Sequence, residues 1–178
     1  VQSFVFSTVF RTDVDNFPLY VICGNTLFAL MSNGTMQGMY SVLTNASLIK
    51  KVYIPKYIFP LSRVASSFVT TLFSMVAVLI VMVVTGAAFH FTILLFWLPL
   101  LLLFFFTCGI SLLLSALAVY FRDTEHLYSV INMAWMYGTP LFYPISIVPE
   151  HLRIFLMMNP MYYFVDLFRD VVMYGSVG

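Results

Sequence analysis

Thr26, Asn33, Gln37 and Ser41 recur at steps of seven and four, which places them close to one face of a helix. Gly34 and Gly38 form a G-x-x-x-G pair in the same stretch. Amides and hydroxyls on such a face can hydrogen-bond an uncharged polar solute or a neighbouring helix, but they cannot face lipid. The stretch therefore reads as close helix packing, as a wall of a polar conduit, or as a subunit interface. A second stripe runs through Tyr128, Asn132, Trp135, Thr139 and Phe142, with Tyr137 and Tyr143 nearby. Its aromatic faces could pack, form an interfacial belt, or stack on sugar rings. Gly138, Pro140 and Pro144 interrupt it, as happens in spans that line a pathway.

Other chemistry is missing from the sequence. There is no G-x-x-x-x-G-K-[ST] phosphate loop and no G-x-G-x-x-G turn, so the chain is not expected to hydrolyse ATP. His90, His126 and His151 stand apart, and no Cys/His spacing suits a metal. Cys23 and Cys108 sit in apolar runs and read as small packing residues. No basic stripe interleaved with polar residues suggests nucleic acid as a partner.

The elements that must hold these residues are membrane helices. Of 178 residues, 62% are hydrophobic and 8% are charged, against roughly 25% charged in a soluble domain. The mean hydropathy is +0.99. One soluble core of this size could not hide so much apolar surface. The expected fold is all-α, a polytopic transmembrane bundle forming a single domain. A span needs about 20 apolar residues. Residues 1–10 fit the outer half of a truncated span, and residues 17–43, 64–85, 91–120 and 127–147 are expected to cross. The chain reads as part of a longer protein, cut within a first span and before a last one. No span carries a charge at its centre, which argues against a proton relay or voltage sensor.

Residues 45–60 carry Lys50, Lys51 and Lys56, with Arg63 just after and no acid. Pro55 and Pro60 prevent one continuous helix, so a short interfacial helix around residues 46–53 is expected. The positive-inside rule places this segment in the cytoplasm. By alternation the turn at Arg122 and Asp123 lies on the same side, and residues 148–178 lie outside. That last stretch is divided by Pro149 and Pro160 and studded with charge. It is expected to form two short re-entrant or interfacial helices that do not cross. The basic segment could anchor to lipid headgroups or dock a cytoplasmic partner. Leu48, Ile49, Val52 and Tyr53 give it more apolar contact area than a charge anchor needs.

The runs NASLIKKVYIPKYIFPLSRV, ALAVYFRDTEHL, GTPLFYPISIVPE and LRIFLMMNPMYYFVDLFRDVV resemble, in order, the permease subunits of type-2 ABC exporters. The likeness is strongest to the polysaccharide branch, which exports teichoic acid, O-antigen and capsular polysaccharide. It covers nearly the whole chain. It implies a six-span permease in the bacterial cytoplasmic (inner) membrane that pairs with a second copy and with a separate ATP-binding cassette ATPase. ATP and magnesium would belong to that partner, with no cofactor on this chain. The substrate implied is a polyprenyl-linked glycan. Leu48, Ile49, Lys50, Lys51, Val52 and Tyr53 match the coupling helix that docks in the ATPase. Arg122 and Asp123 match a cytoplasmic turn. Asn159, Pro160, Tyr162 and Arg169 match the external re-entrant motif. With the polar stripes, the implied conduit residues are Asn33, Gln37, Asn132, Trp135, Tyr137 and Tyr143. A type-2 drug or small-lipid exporter shares the topology but often has larger external insertions. A membrane-embedded enzyme of glycolipid synthesis would need acids near the surface, and Asp123 and Glu125 are the only ones on the cytoplasmic side. A membrane scaffold would have less use for polar span faces.

Overall fold

A computed structural model describes residues 17–51, 54–85, 95–121, 123–141, 148 and 150–174. Every regular element among them is helical. In chain order they are α1 (Phe17–Thr44), α2 (Ala46–Lys51), α3 (Ile58–Thr85), α4 (Trp97–Tyr120), α5 (Thr124–Tyr137), α6 (Glu150–Met157) and α7 (Pro160–Arg169). A π-helical turn over Asp170–Tyr174 continues α7. The expected first span at residues 1–10 and residues 86–94 lie outside the described residues, as do Val52, Tyr53, Arg122 and Tyr143.

α1 is the axis of the bundle. It carries no charged residue and buries more of its length than any other described helix. α3 turns Val64, Ser67, Thr71, Met75, Val78 and Met82 toward it, at steps of three or four. α4 turns Leu100, Leu103, Thr107, Ser111, Ser115 and Ala118 inward at the same rhythm. Much of the remaining surface of both helices is apolar and bare. Phe73 is 74% exposed, Val84 79% and Phe105 68%. Residues Ile58–Val84 and Trp97–Tyr120 are long and apolar enough to cross a membrane. Bare apolar faces of this extent would aggregate in water and are stable against lipid tails.

α1 and α4 approach closely because their contact is built from small residues. A Cβ added to Gly34 would come within 2.8 Å of Thr107 Cγ2. One added to Gly38 would run into the Ser111 hydroxyl and close on the Pro60 carbonyl of α3. The G-x-x-x-G pair is thus spent on packing three helices together.

Two boundaries differ from the sequence expectation. α3 begins at Ile58 rather than 64. Pro60 fits there because the first-turn N–H groups have no intrahelical partner. α4 is described from Trp97, after a 3₁₀ turn at residues 95–96, and residues 91–94 of the expected span lie outside the described residues. α5 is the larger departure. Its 14 residues reach about 21 Å, less than the roughly 30 Å hydrocarbon core. It stops at Gly138, so Thr139 lies beyond the helix, Phe142 lies outside the described residues, and the expected stripe is not one continuous helical face. α7 fills the space near this break. Met161, Val165 and Phe168 bury against the core that α1 and α4 contribute.

Replacing Gly38 with Val should force α1 off α4 and destabilise the full-length protein by about 1–3 kcal/mol, the cost of overpacking a close contact. Gly109→Ala is the control, because nothing lies within 4 Å of its Cβ position. That change should be neutral or stabilise by up to about 1 kcal/mol. Thermal unfolding in detergent would show the contrast, and equal midpoints for the two variants would refute the packing role.

Candidate functional site

Asn33 and Gln37 project from α1 into a cleft against α3 of about 110 Å³. Its far wall is Ser66, Ser67, Thr70, Thr71 and Ser74. This hydroxyl wall went unread in a run that looks apolar, although its members recur at steps of four. Each of three hydroxyls donates to the carbonyl one turn back: Thr70 to Ser66 at 3.0 Å, Thr71 to Ser67 at 2.9 Å and Ser74 to Thr70 at 3.2 Å. Such back-bonding satisfies the hydrogen while leaving oxygen lone pairs free to accept.

On its other flank Asn33 lines a second cleft, of about 360 Å³, with Ser32 of α1 and Ser129 and Asn132 of α5. The Asn132 amide nitrogen donates to Ser32 Oγ at 2.7 Å. The two clefts share Ala29 and Asn33, so they adjoin as one furrow along α1, with the α3 hydroxyls on one bank and α5 on the other; Phe28, Met133 and Met136 line it beside the polar groups. The structure therefore brings Asn33, Gln37 and Asn132 together. It does not bring Trp135 with them. The Trp135 indole N–H donates to Asn159 Oδ1 at 2.7 Å, and its ring meets Phe106 edge-on. Tyr137, 66% exposed, stands at the end of α5 away from the furrow lining. Tyr143 lies outside the described residues.

The break after α5 is held by two polar side chains. Asn159 is the N-cap of α7, accepting from the Met161 N–H at 3.0 Å, with Pro160 at the first helical position. Its amide nitrogen donates to the Gly138 carbonyl and to Thr139 Oγ1, both at 2.9 Å. Arg169, 3% exposed, donates to the carbonyls of Pro140 at 2.9 Å and Leu141 at 3.1 Å, and to that of Tyr20 in the first turn of α1 at 3.2 Å. Its guanidinium carbon also lies 3.4 Å from the centre of the Tyr20 ring, a cation–π contact. Gly24 leaves room for it, since a Cβ there would come within 2.7 Å of Arg169 Nη2. Carbonyls that a broken helix leaves unpaired thus find donors on α7. The Tyr162 ring stands edge-on to Tyr163. Burial, aided by the Asp166 carboxylate, raises the Tyr162 hydroxyl above its ordinary value, and the same two causes raise the Asp170 carboxyl.

At the lysine-bearing end, Asn45 joins α1 to α2. Its side-chain amide donates to the Ser41 carbonyl at 2.7 Å, while its own carbonyl accepts from the N–H groups of Leu48 and Ile49, each at 3.0 Å. On α2, Leu48 is 43% exposed and Ile49 half-buried. Lys51 is exposed, and Lys50 lies on the same short helix. Asp123 sits at the start of α5 with no side-chain capping bond, and Thr124 Oγ1 donates instead to the Phe121 carbonyl at 2.7 Å. Among the described residues no group of His, Cys, Asp and Glu could hold a metal ion.

The sequence pattern of the ABC-2 type transporter family matches residues 1–173. Among curated relatives, two O-antigen export system permease proteins RfbA from Klebsiella pneumoniae are 28% identical, over 99% and 98% of this chain and 69% and 68% of their own lengths. A third protein of that name, from Myxococcus xanthus, is 29% identical over 90% of this chain and 63% of its own length. The chain thus spans about two thirds of the length of these relatives.

Asn159→Ala should remove the cap and both bridges and cost about 1–3 kcal/mol of stability. Trp135→Phe should cost about 1 kcal/mol, and the double variant no more than Asn159→Ala alone, because the indole acts through Asn159. Unfolding midpoints of the four full-length proteins test this; additive losses would break the link.

Proposed function

The chain belongs to the ABC-2 type transporter family, and on that premise we propose that it is the membrane subunit of a polysaccharide exporter. It moves a polyprenyl-linked polysaccharide or glycolipid outward across the bacterial inner membrane. It crosses that membrane several times, pairs with a second copy, and is driven by a separate ATP-binding cassette subunit that binds ATP and magnesium.

The furrow along α1 is the observation that supports this reading. Asn33 and Gln37 face α3 hydroxyls across one cleft, and Asn33 shares the adjoining cleft with Ser32, Ser129 and Asn132, in a bundle whose other faces are largely apolar. A polar face at membrane depth needs a polar neighbour. A neutral, hydroxyl-rich chain supplies one, because it both donates to and accepts from amides and hydroxyls, and no charged side chain lines the furrow to bind it too tightly for release. The names of the relatives point to O-antigen export, a glycan of this kind.

The lever in this scheme is α2. With Val52 and Tyr53 it presents Leu48 and Ile49 to the ATPase, while Lys50 and Lys51 hold it at the cytoplasmic surface. Asn45 fixes it to the end of α1, so force applied to α2 acts on the helix that carries the furrow. Arg122 and Asp123 lie on the same side. Asn159, Pro160, Tyr162 and Arg169 belong to the external end, where the glycan leaves.

Two variants of the full-length protein, co-expressed with the ATPase encoded beside it, test the reading. Ile49→Asp should abolish permease-coupled ATP turnover and leave membrane insertion intact. Asn33→Leu with Gln37→Leu should keep ATPase association but lower glycan export at least about tenfold, the worth of one or two hydrogen bonds. Coupling that survives Ile49→Asp removes the docking role of α2. Export that is indifferent to the furrow pair removes the glycan conduit.

A further inference from the structure

α5 is attached to the bundle differently from the other long helices. α3 and α4 meet α1 through packed apolar and small side chains. α5 meets α1 mainly through polar groups, although the Tyr128 ring also packs with Met39 of α1 and Ala118 of α4. The Tyr128 hydroxyl and Thr35 Oγ1 lie 2.6 Å apart, both residues buried. One turn further along α5, Asn132 donates to Ser32 at 2.7 Å. One turn before, the Glu125 carboxylate lies near the Tyr40 hydroxyl. Residues 32, 35 and 40 of α1 thus meet 132, 128 and 125 of α5 in antiparallel order. On either side of this seam lies open space: the 360 Å³ cleft, and one of about 600 Å³ against α4 lined by Leu114, Leu117, Phe121, Leu127 and Ile131. Leu127, Val130, Ile131 and Met133 of α5 are exposed.

We propose that these three rungs are the linkage through which the α2 lever sets the position of α5, with Thr35 and Tyr128 as its central positioning pair. The inference rests on the exporter reading above. The steps are contiguous. Asn45 ties α2 to α1, the rungs tie α1 to α5, and Trp135 and the carbonyls of Gly138, Pro140 and Leu141 tie the far end of α5 to Asn159 and Arg169 of the external segment. A packed seam resists shear because knobs must leave their holes. Hydrogen bonds between helices in a membrane are each worth only about 1–2 kcal/mol and can re-form with a new partner. Rungs flanked by clefts therefore hold α5 in register with α1 while leaving it room to shift, and the shift changes the width of the furrow between them. Thr35 shows the same economy. Its hydroxyl also donates to the Met31 carbonyl at 2.7 Å, so it keeps a partner whether or not Tyr128 is in place.

The test uses the full-length protein with its partner ATPase in lipid nanodiscs, in a Cys23→Ala/Cys108→Ala background. Spin labels go on Val69→Cys of α3 and Val130→Cys of α5, both exposed positions. ATP should change the distance between them in the parent. Thr35→Val, Tyr128→Phe and the double variant keep the side-chain shapes, and each should abolish that change to the same extent. ATPase association and basal turnover should persist, while glycan exported per ATP falls about tenfold, the factor equivalent to one lost bond. A purely structural role would instead lower folded yield and both activities in proportion, and that outcome overturns the proposal. So does a parent in which α5 ignores ATP, or a variant whose ATP-driven distance change is intact. If α5 follows ATP and the variants release it but the parent exports no glycan, the substrate reading fails and the linkage stands. If no ATPase associates, the exporter reading itself is the one that falls.

Discussion

A polar group placed among lipid tails has no water to turn to, and this one constraint organises the molecule. Backbone groups are satisfied by helices, as they must be. Side chains follow the same rule. Many serines and threonines on α1, α3 and α4, though not Ser67 and Ser111, return their hydrogens to carbonyls three or four residues back. Where a helix breaks, as α5 does at Gly138, its freed carbonyls meet Asn159 and Arg169. Where polar side chains remain on an open face, they collect in one furrow rather than scattering over the lipid-facing surface. The site and the scaffold answer the same requirement, differing only in what supplies the partner.

Arg169 shows how the constraint is met for a full charge. Carbonyl oxygens from two segments and the face of Tyr20 surround its guanidinium. Carbonyl dipoles and an aromatic quadrupole offset part of the cost of taking a cation out of water. One residue on α7 therefore fixes the broken end of α5 and the first turn of α1 together. The external end is positioned by directional bonds, the centre of the bundle by shape.

The bundle itself was legible because helices of about 20 apolar residues have few alternatives in a chain this poor in charge. The α1 side of the furrow was legible too, since Asn33 and Gln37 share a face by spacing alone, and Asn132 entered through its own stripe. The α3 bank was not. Ser66, Thr70 and Ser74 are surrounded by Val, Phe and Leu, and an average over the run hides hydroxyls that a four-residue step would have picked out. Trp135 misled for another reason. An aromatic amid polar neighbours suits a sugar platform, but its indole partner Asn159 lies 24 residues on, and no local pattern reveals that pairing. The early end of α5 was equally hidden, because Gly138 and Pro140 signal a break without saying whether the chain crosses it.

The crossing of α1 over α4 has a further consequence. Gly34 and Gly38 have no rotamers to lose, and Thr107 and Ser111 each have only one side-chain torsion between heavy atoms to fix. Ordering this seam therefore costs almost no side-chain entropy, whereas Tyr128, Asn132 and Glu125 must each give up more freedom to form the rungs. The α1–α4 pair is tight at every temperature at which the protein is folded. The hold on α5 weakens as warming raises the entropic penalty, so the same bundle contains one joint that heat barely touches and one that it loosens.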